Sequence, residues 1–287
     1  MTVATTPRQS TRPEIGARLD HLCFESPDPA RLAAFYAEGF GMTQAVLTQD
    51  TLRCTAAGRE ILVRAGAPNR TAWIAFGFES EAVLGSYRAA LAARSLALHA
   101  NPSPSFTASA FAVADPDGNT VVFGARPATG ASSGGLPARL QHVAFRTPNL
   151  DAMTAFYERS LGFVVSDRVR DAQGVLRAAF LRTDEEHHAL ALFGAPEKRF
   201  DHHSSETLDW EHIRRWADHV AARRIPIFWG VGRHGPGNDL FFMVKDPDDN
   251  LAEISAEIEQ CTPDRAEGLW PHEQRTLNLW GSAIMRS

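Results

Sequence analysis

The sequence predicts an α+β protein made of two homologous halves, each divided into two units of a strand, a helix and two or three further strands. LDHLCFESPDPARLAAFYAEGFGM at 19–42 aligns without a gap with LQHVAFRTPNLDAMTAFYERSLGF at 140–163. ADPDGNTVVFGA at 114–125 aligns in the same way with KDPDDNLAEISA at 245–256. The first pair starts 121 residues apart and the second pair 131, so the second half carries about ten extra residues between these landmarks.

Each half divides again at a second strand and helix. Residues 71–98 and 200–227 both open with an apolar alternating run and continue with a helical pattern. Asp and Asn side chains accept backbone N–H groups at helix starts, and the four helices are expected to begin near Asp28, Glu79, Asn149 and Asp209.

A tight turn joins the last two strands of each half. Residues 115–119 read Asp-Pro-Asp-Gly-Asn, in which proline sets the second position and glycine tolerates a positive φ angle. In the second copy, at 246–250, Asp249 replaces the glycine. Aspartate tolerates that conformation at some cost, so the turn is expected to survive.

Composition shifts mark the segment boundaries. A disordered polar arm is expected over 1–17, a first domain over 18–127, a Gly/Ser-rich linker over 128–138, a second domain over 139–259 and a tail over 260–287. The tail is rich in apolar and aromatic residues. It is therefore expected to pack over a pocket mouth or in a subunit interface.

The overall composition excludes several classes of function. The chain has 287 residues, a hydrophobic fraction of 44% and a net charge of −5, which is no footprint of a nucleic-acid or membrane partner. The first residues lack the apolar core of a signal peptide, and no run approaches a membrane span. Three scattered cysteines argue against a disulfide framework and for a cytoplasmic protein.

Three polar residues in the second half occupy strand positions where apolar residues dominate. They are His142, one of His202 and His203, and Glu253, and their first-half counterparts are His21, Trp73 and Val122. A lone strand histidine is more often a hydrogen-bonded core residue. Because all three fall at equivalent sites of a duplicated framework and are complete in one copy only, they predict a metal site. Two histidines and a carboxylate form a facial triad, which suits non-haem Fe(II) and leaves positions open for substrate and gas.

The choice between His202 and His203 depends on strand alternation. If His202 faces inward, Glu206 shares its face; if His203 faces inward, Glu206 points to the helix-packed side, which is costly. The pattern favours His202 and keeps His203 as the alternative.

Several motifs together resemble a known family. Three features resemble the vicinal oxygen chelate superfamily. They are the HLCF and HVAF strands followed by Phe-Tyr helices, the histidine pairs at 187–188 and 202–203, and GRHGPGN followed by DPDDNLAE. Within it they look like type I extradiol dioxygenases, the group of catechol 2,3-dioxygenase and 2,3-dihydroxybiphenyl 1,2-dioxygenase. The resemblance covers residues 19–259. It implies four βαβββ modules paired into two glyoxalase/bleomycin-resistance-like domains, with a metal-free first domain and a catalytic metal-binding second domain.

The resemblance also implies a reaction and further site residues. It implies extradiol cleavage of a small aromatic diol by O2 at Fe(II), less often Mn(II), in aromatic hydrocarbon catabolism by a homo-oligomer. His188 matches the family's acid–base histidine and His234 a histidine that contacts substrate, with support from Asn238 and Asp239. Met243 stands where the family usually has a substrate-binding tyrosine, and a thioether cannot donate that hydrogen bond.

Two other readings remain at this stage. The chain could be another metalloenzyme of the superfamily, an isomerase or transferase, although such enzymes spread ligands over both halves or use more carboxylates. It could also be a non-enzymatic binding or resistance protein of the same fold, which the complete triad argues against.

Overall fold

The computed structural model describes residues 15–126 and 135–286 and confirms an α+β fold with two large sheets. At the centre of each sheet, the first strands of two βαβββ units pair antiparallel. β1 (Arg18–Ser26) pairs with β5 (Arg70–Phe78), and β9 (Arg139–Thr147) pairs with β13 (Arg199–Glu206).

The remaining strands extend these central pairs on both sides. In the first half they are β2 (Thr43–Thr48), β3 (Thr51–Ala56), β4 (Arg59–Ala65), β6 (His99–Ala100), β7 (Phe111–Ala114) and β8 (Thr120–Ala125). In the second half they are β10 (Val164–Arg170), β11 (Leu176–Arg182), β12 (Leu190–Gly194), β14 (Ile227–Arg233), β15 (Leu240–Lys245), β16 (Leu251–Ala256) and β17 (Gly268–Pro271). The sheet orders are β2-β3-β4-β1-β5-β8-β7-β6 and β14-β15-β16-β13-β9-β12-β11-β10-β17.

The helices begin close to the predicted positions. They are α1 (Pro29–Phe40), α2 (Glu81–Ala93), α3 (Leu150–Ala155), which continues as a π-helical turn (Phe156–Ser160), α4 (Trp210–Ala222) and a short α5 (Gln274–Leu277). Asp28 and Asp209 cap their helices by accepting a backbone N–H group. The second helix is capped by Ser80 rather than Glu79, because the short serine side chain reaches the N–H of Val83. Asn149 precedes α3 but makes no side-chain cap. None of the helices in the described ranges has the length and apolar content needed to cross a bilayer.

Both predicted tight turns are present. In each, the leading aspartate, Asp115 or Asp246, accepts the N–H groups two and four residues further on. Gly118 has φ 81° and Asp249, at the same place in the second copy, has φ 63°. Aspartate therefore adopts the left-handed conformation that glycine adopts in the first half.

The two halves are joined by a reciprocal pair of hydrogen bonds. The hydroxyl of Tyr36 donates to Asp246 at 3.0 Å, and the equivalent hydroxyl of Tyr157 donates to Asp115 at 3.0 Å. Both tyrosines are fully buried, and burial raises the pKa of each phenol well above its usual value. Each half thus anchors a helix to the turn of the other half.

Three apolar clusters fill the interior. The largest covers the helix-facing sides of both sheets and includes ring contacts across the halves, such as Phe24 with Phe200 and Phe76 with Phe163. The opposite face of each sheet carries its own smaller cluster. The face of the second sheet, with Phe180, Phe193 and Met243, surrounds the polar residues described below.

The expected segment ends differ in part from the structure. Residues 1–14 and 127–134, with most of the expected arm and of the linker, lie outside the described residues. Ile15 and Ala17 are buried and the N–H of Gly16 donates to the carbonyl of Thr183, so 15–17 belong to the folded core. All three cysteines are free and buried. The domain bounds remain a prediction.

Replacing Tyr36 with Phe removes two buried contacts of its hydroxyl, the hydrogen bond to Asp246 and the 3.1 Å contact with Nε2 of His203, and leaves Asp246 with its turn partners only. We expect the free energy of unfolding to fall by about 1–2 kcal/mol, measured by urea denaturation. Tyr157→Phe, the equivalent change in the other half, should cost a similar amount. An unchanged denaturation midpoint in both variants would contradict the role assigned to this pair of bonds.

Candidate metal centre

Three neighbouring strands carry His142, His202 and Glu253 to one face of the second sheet. Ser204 on β13 is the cross-strand partner of both His142 on β9 and Glu253 on β16. Directly paired residues point to the same side of a sheet, and His202, two residues before Ser204, shares that side. The strand register therefore gathers all three side chains without any loop.

The ligand atoms of these residues lie at distances suited to one metal ion. His142 Nε2 is 3.1 Å from His202 Nε2 and 3.6 Å from Glu253 Oε1. Two atoms bound at right angles to a first-row metal are separated by roughly 3 Å. All three residues are buried, and within the described ranges Glu253 Oε1 has no hydrogen-bond partner. A buried, unpartnered carboxylate oxygen beside two imidazole nitrogens fits a divalent cation.

His203 lies on the other face of β13. Its Nε2 is 3.1 Å from the hydroxyl of Tyr36, and its ring packs near Phe24 and Phe200 in the main core. Burial lowers its pKa to about 3. The structure thus brings His202, and not His203, to His142 and Glu253.

The environment keeps His142 neutral. Burial, together with His188 and His202, lowers the pKa of His142 well below its usual value. Neutral imidazole is the form that binds a metal, so no proton has to be displaced from His142 near pH 7.

Two acceptors orient the metal-facing nitrogens. Nδ1 of His142 contacts the side-chain oxygen of Gln141, and Nδ1 of His202 is 2.6 Å from Asp201 Oδ1. The amide of Gln141 is itself oriented, because its NH2 group donates to the carbonyl of His188 at 2.7 Å. Since both acceptors are oxygens without a proton, each Nδ1 carries the hydrogen and each Nε2 keeps a free lone pair.

Sequence reasoning missed this supporting layer. Asp201 is fully buried and accepts from Arg146 at 2.5 Å and from Arg286 at 3.0 Å. Burial alone would raise the pKa of Asp201, but Arg286 and the bond from His202 hold it well below its usual value. The position of Asp201 directly before the histidine pair could have indicated its role. No pattern in the sequence near Arg286 indicates a role for that residue.

Two further histidines border the same space. The His188 ring lies 4.4 Å from that of His142, and burial and His187 lower the pKa of His188. Nδ1 of His234 donates to the carbonyl of Leu277 at 2.5 Å, and its Nε2 is 3.5 Å from Glu253 Oε2. The His234 ring stacks on Phe241 at 3.8 Å. The structure therefore brings both residues expected to act on substrate next to the triad.

The three expected substrate contacts fall in different places. Met243 is the cross-strand partner of Glu253 and lines the cavity. Asp239 is buried near His142 and His188. Both its carboxylate oxygens lack a hydrogen-bond partner among the described residues. Burial and Glu253 raise the pKa of Asp239 well above its usual value. The expectation for Asn238 is not met, since its side chain is exposed and its backbone, at φ 58°, belongs to the loop surface.

The tail closes this cavity. Leu277 and Arg286 line it together with the site histidines, and Trp229 on β14 donates to the carbonyl of Ser282 at 3.0 Å. About 20 Å3 of free volume remains among these side chains. Of the two places expected for the tail, the structure shows the one over the pocket.

The equivalent place in the first half is filled by apolar side chains. His21, Trp73 and Val122 occupy the same register positions, with Cys23 opposite Trp73 and Ala75 opposite both His21 and Val122. Nε2 of His21 bonds the hydroxyl of Ser103 at 2.6 Å, and the ring of Phe106 packs against His21. Among the described residues of this half, no group of three metal ligands forms.

Comparison with known proteins places these features in a family. The model of the Glyoxalase/Bleomycin resistance protein/Dioxygenase superfamily matches residues 139–254. Metapyrocatechase 2 of Cupriavidus necator is 30% identical over 296 residues, which cover 93% of this chain and 89% of that protein.

Solved structures share the fold. Homoprotocatechuate 2,3-dioxygenase of Arthrobacter globiformis superposes with a TM-score of 0.80 at 24% identity, over 99% of this chain and 93% of that chain. The Mn(II)-bound glyoxalase of Novosphingobium aromaticivorans gives a TM-score of 0.79 at 24% identity, over 94% and 93%. At this identity the two structures show the fold alone.

The adjacent histidines of β13 offer a matched pair of variants. We expect His202→Ala to lose stoichiometric divalent metal after loading and desalting, because it removes one of three ligands. His203→Ala should retain the metal and lose stability instead, because it leaves a cavity beside Tyr36. Elemental analysis of both variants checks this, and the reverse pattern would refute the assignment of the metal-facing histidine.

Proposed function

The chain belongs to the Glyoxalase/Bleomycin resistance protein/Dioxygenase superfamily, as a relative of the metapyrocatechases, and from this we propose that it is an extradiol dioxygenase that opens the ring of a catechol-type aromatic diol with O2. One observation carries the proposal. The triad of His142, His202 and Glu253 is buried, lies at ligand distances and has His188 directly beside it.

Fe(II) is the metal that we propose for this site, with Mn(II) as the second choice. Two histidines and one carboxylate leave three positions of an octahedral ion free, which is the ligand set of non-haem Fe(II) oxygenases. When bound, the ion supplies a Lewis acid for the two diol oxygens and a binding position for O2. Nδ1–H groups held by Gln141 and Asp201 keep both ligand nitrogens turned to that ion.

His188 is the proposed acid–base residue. It is buried beside His142 and its pKa is lowered by burial and by His187, so it is neutral and able to accept a proton from a diol hydroxyl. The same nitrogen returns the proton later in the cycle.

The remaining walls position the ring and exclude water. Phe180, Phe193 and Met243 make one side of the cavity apolar. His234 is held by Leu277 with its Nε2 toward Glu253, where it can hydrogen-bond an oxygen of the substrate. Met243 lines the cavity but has no hydrogen-bond donor, so this chain relies on His234 to hydrogen-bond the substrate oxygen.

The rival functions fit the site less well. A metal site that spans both halves needs ligands where Trp73 and Val122 stand. In a metal-free binding protein, Glu253 Oε1 would stay buried without a partner among the residues that the structure describes. We further propose a cytoplasmic homo-oligomer. Its support is the set of free buried cysteines and an exposed aromatic pair, Trp210 and Trp280, with ring centres 5.9 Å apart.

Anaerobic loading with Fe(II), followed by O2 uptake with a panel of substituted catechols, tests the reaction. We expect one O2 to be consumed for each yellow ring-opened product. Glu253→Ala should show neither uptake nor retained iron while its circular dichroism stays native. If no catechol in the panel gives uptake or yellow product with iron-loaded protein, the proposed reaction is wrong.

His188→Phe separates metal binding from acid–base catalysis. The phenyl ring fills the space of the imidazole but cannot take a proton, so kcat should fall about 10²- to 10⁴-fold while iron content remains stoichiometric. Steady-state kinetics and iron analysis on the same preparation measure both quantities. Full activity in this variant would exclude His188 as the acid–base residue.

A further inference from the structure

A second buried histidine, His187, stands behind His188. Its Nδ1 lies 3.0 Å from Nδ1 of His188. Its Nε2 lies 3.1 Å from Asp167 Oδ2 and 3.9 Å from Glu259 Oε2. His187 is fully buried and does not reach the cavity, so it acts on the site only through its neighbour.

Asp167 is held as an anion by the tail. Its carboxylate accepts from Arg265 Nη1 at 2.8 Å, from Trp270 Nε1 at 2.7 Å and from the N–H of Gly268 at 3.2 Å. Burial alone would raise the pKa of Asp167, but the bonds from His187 and Arg265 outweigh it and lower the pKa below its usual value. An ionised carboxylate only accepts hydrogen bonds.

This arrangement decides where the protons lie on the two histidines. Nε2 of His187 makes no well-aligned hydrogen bond among the described residues, but two carboxylates, of Asp167 and Glu259, lie 3.1 Å and 3.9 Å from it. Since carboxylates only accept hydrogen bonds, we assign the hydrogen of His187 to this nitrogen. With the hydrogen on Nε2, the other nitrogen of the ring, Nδ1, is an acceptor. A 3.0 Å contact between two ring nitrogens needs one donor, and that donor is Nδ1–H of His188.

We propose that His187 and Asp167 are positioning residues, which hold His188 in the tautomer with hydrogen on Nδ1 and a free lone pair on Nε2 facing the cavity. The inference rests on the proposed function, in which His188 takes the proton of a diol hydroxyl. The O–H bond of the substrate breaks, the new N–H bond forms at Nε2, and the positive charge on His188 is balanced through His187 by Asp167. The opposite tautomer would place a hydrogen on Nε2 and leave no base.

The loop before β15 holds this pair in place. Gly237 has φ 76°, and a Cβ atom there would stand 3.0 Å from His187 Nδ1 and 3.3 Å from His188 Cε1. The ring of Phe180 packs against both histidines from the sheet side, at 6.1 Å and 5.2 Å between ring centres. The loop therefore approaches the two histidines with bare backbone, while Phe180 contacts both rings.

The test compares His187→Phe with His187→Asn. Phenylalanine fills the volume but accepts no hydrogen bond, whereas the asparagine oxygen stands close to the place of Nδ1. In iron-loaded full-length protein we expect His187→Phe to lower kcat about 10- to 100-fold with KM and iron content unchanged. His187→Asn should stay within about threefold of the wild type, a rescue that a purely structural role would not give.

A spectroscopic measurement on metal-free, full-length protein decides the tautomer independently of turnover. In a ¹H–¹⁵N long-range correlation spectrum of ¹⁵N-histidine-labelled protein, His188 should be the Nδ1–H tautomer in the wild type and in His187→Asn. It should change to the Nε2–H tautomer in His187→Phe. Asp167→Asn, whose amide can donate to His187, should produce the same change and serves if His187→Phe does not fold.

The outcomes separate the two proposals. The positioning role is wrong if wild-type His188 carries its hydrogen on Nε2, or if His187→Phe changes neither the tautomer of His188 nor kcat. Either result leaves the ring-cleavage proposal standing. If no catechol is turned over by the wild type, the ring-cleavage proposal fails, and the tautomer spectrum still decides whether His187 orients its neighbour.

Discussion

The buried carboxylate of Glu253 is the constraint on which the second half depends, because one of its oxygens has no hydrogen-bond partner in the part of the chain that the structure describes. An isolated charge in such a place costs several kcal/mol unless an opposite charge meets it. The nearest side chains are His142 and His234, and burial keeps His142 neutral. A bound cation is the compensation that fits this site. Burial first, and then the neighbouring charge of Glu253, raises the pKa of Asp239 well above its usual value.

Duplication explains why one half can hold such a site. The two sheets place equivalent residues in equivalent pairs. In the first half Trp73 and Val122 stand at the positions of His202 and Glu253, and Phe106 packs against His21. An apolar filling needs no compensating ion and contributes packing energy instead. The reciprocal bonds of Tyr36 and Tyr157 tie a helix of each half to the tight turn of the other half.

Strand periodicity made much of the fold and of the triad predictable from sequence. Alternation along β13 was enough to favour His202, and the repeat identified Glu253 by contrast with Val122. Contacts between segments that are distant in the sequence could not be predicted from strand periodicity. The partner of His187 is Asp167 on β10, in an environment completed by Arg265, and no periodic pattern links these positions. The exposure of Asn238 follows from a loop conformation that the sequence pattern does not specify.

Residues of the tail contact several of the groups that surround the triad. Three of these contacts support histidines of the site. Arg265 bonds Asp167, which lies beside His187; the Leu277 carbonyl accepts from His234; and Arg286 bonds Asp201, which lies beside His202. Each acceptor fixes which ring nitrogen carries the proton, and hence which one faces the cavity. The segment that closes the pocket therefore also orients the histidines that face it. A chain in which the tail is displaced would keep the triad on its strands but lose the orientation of the groups around it.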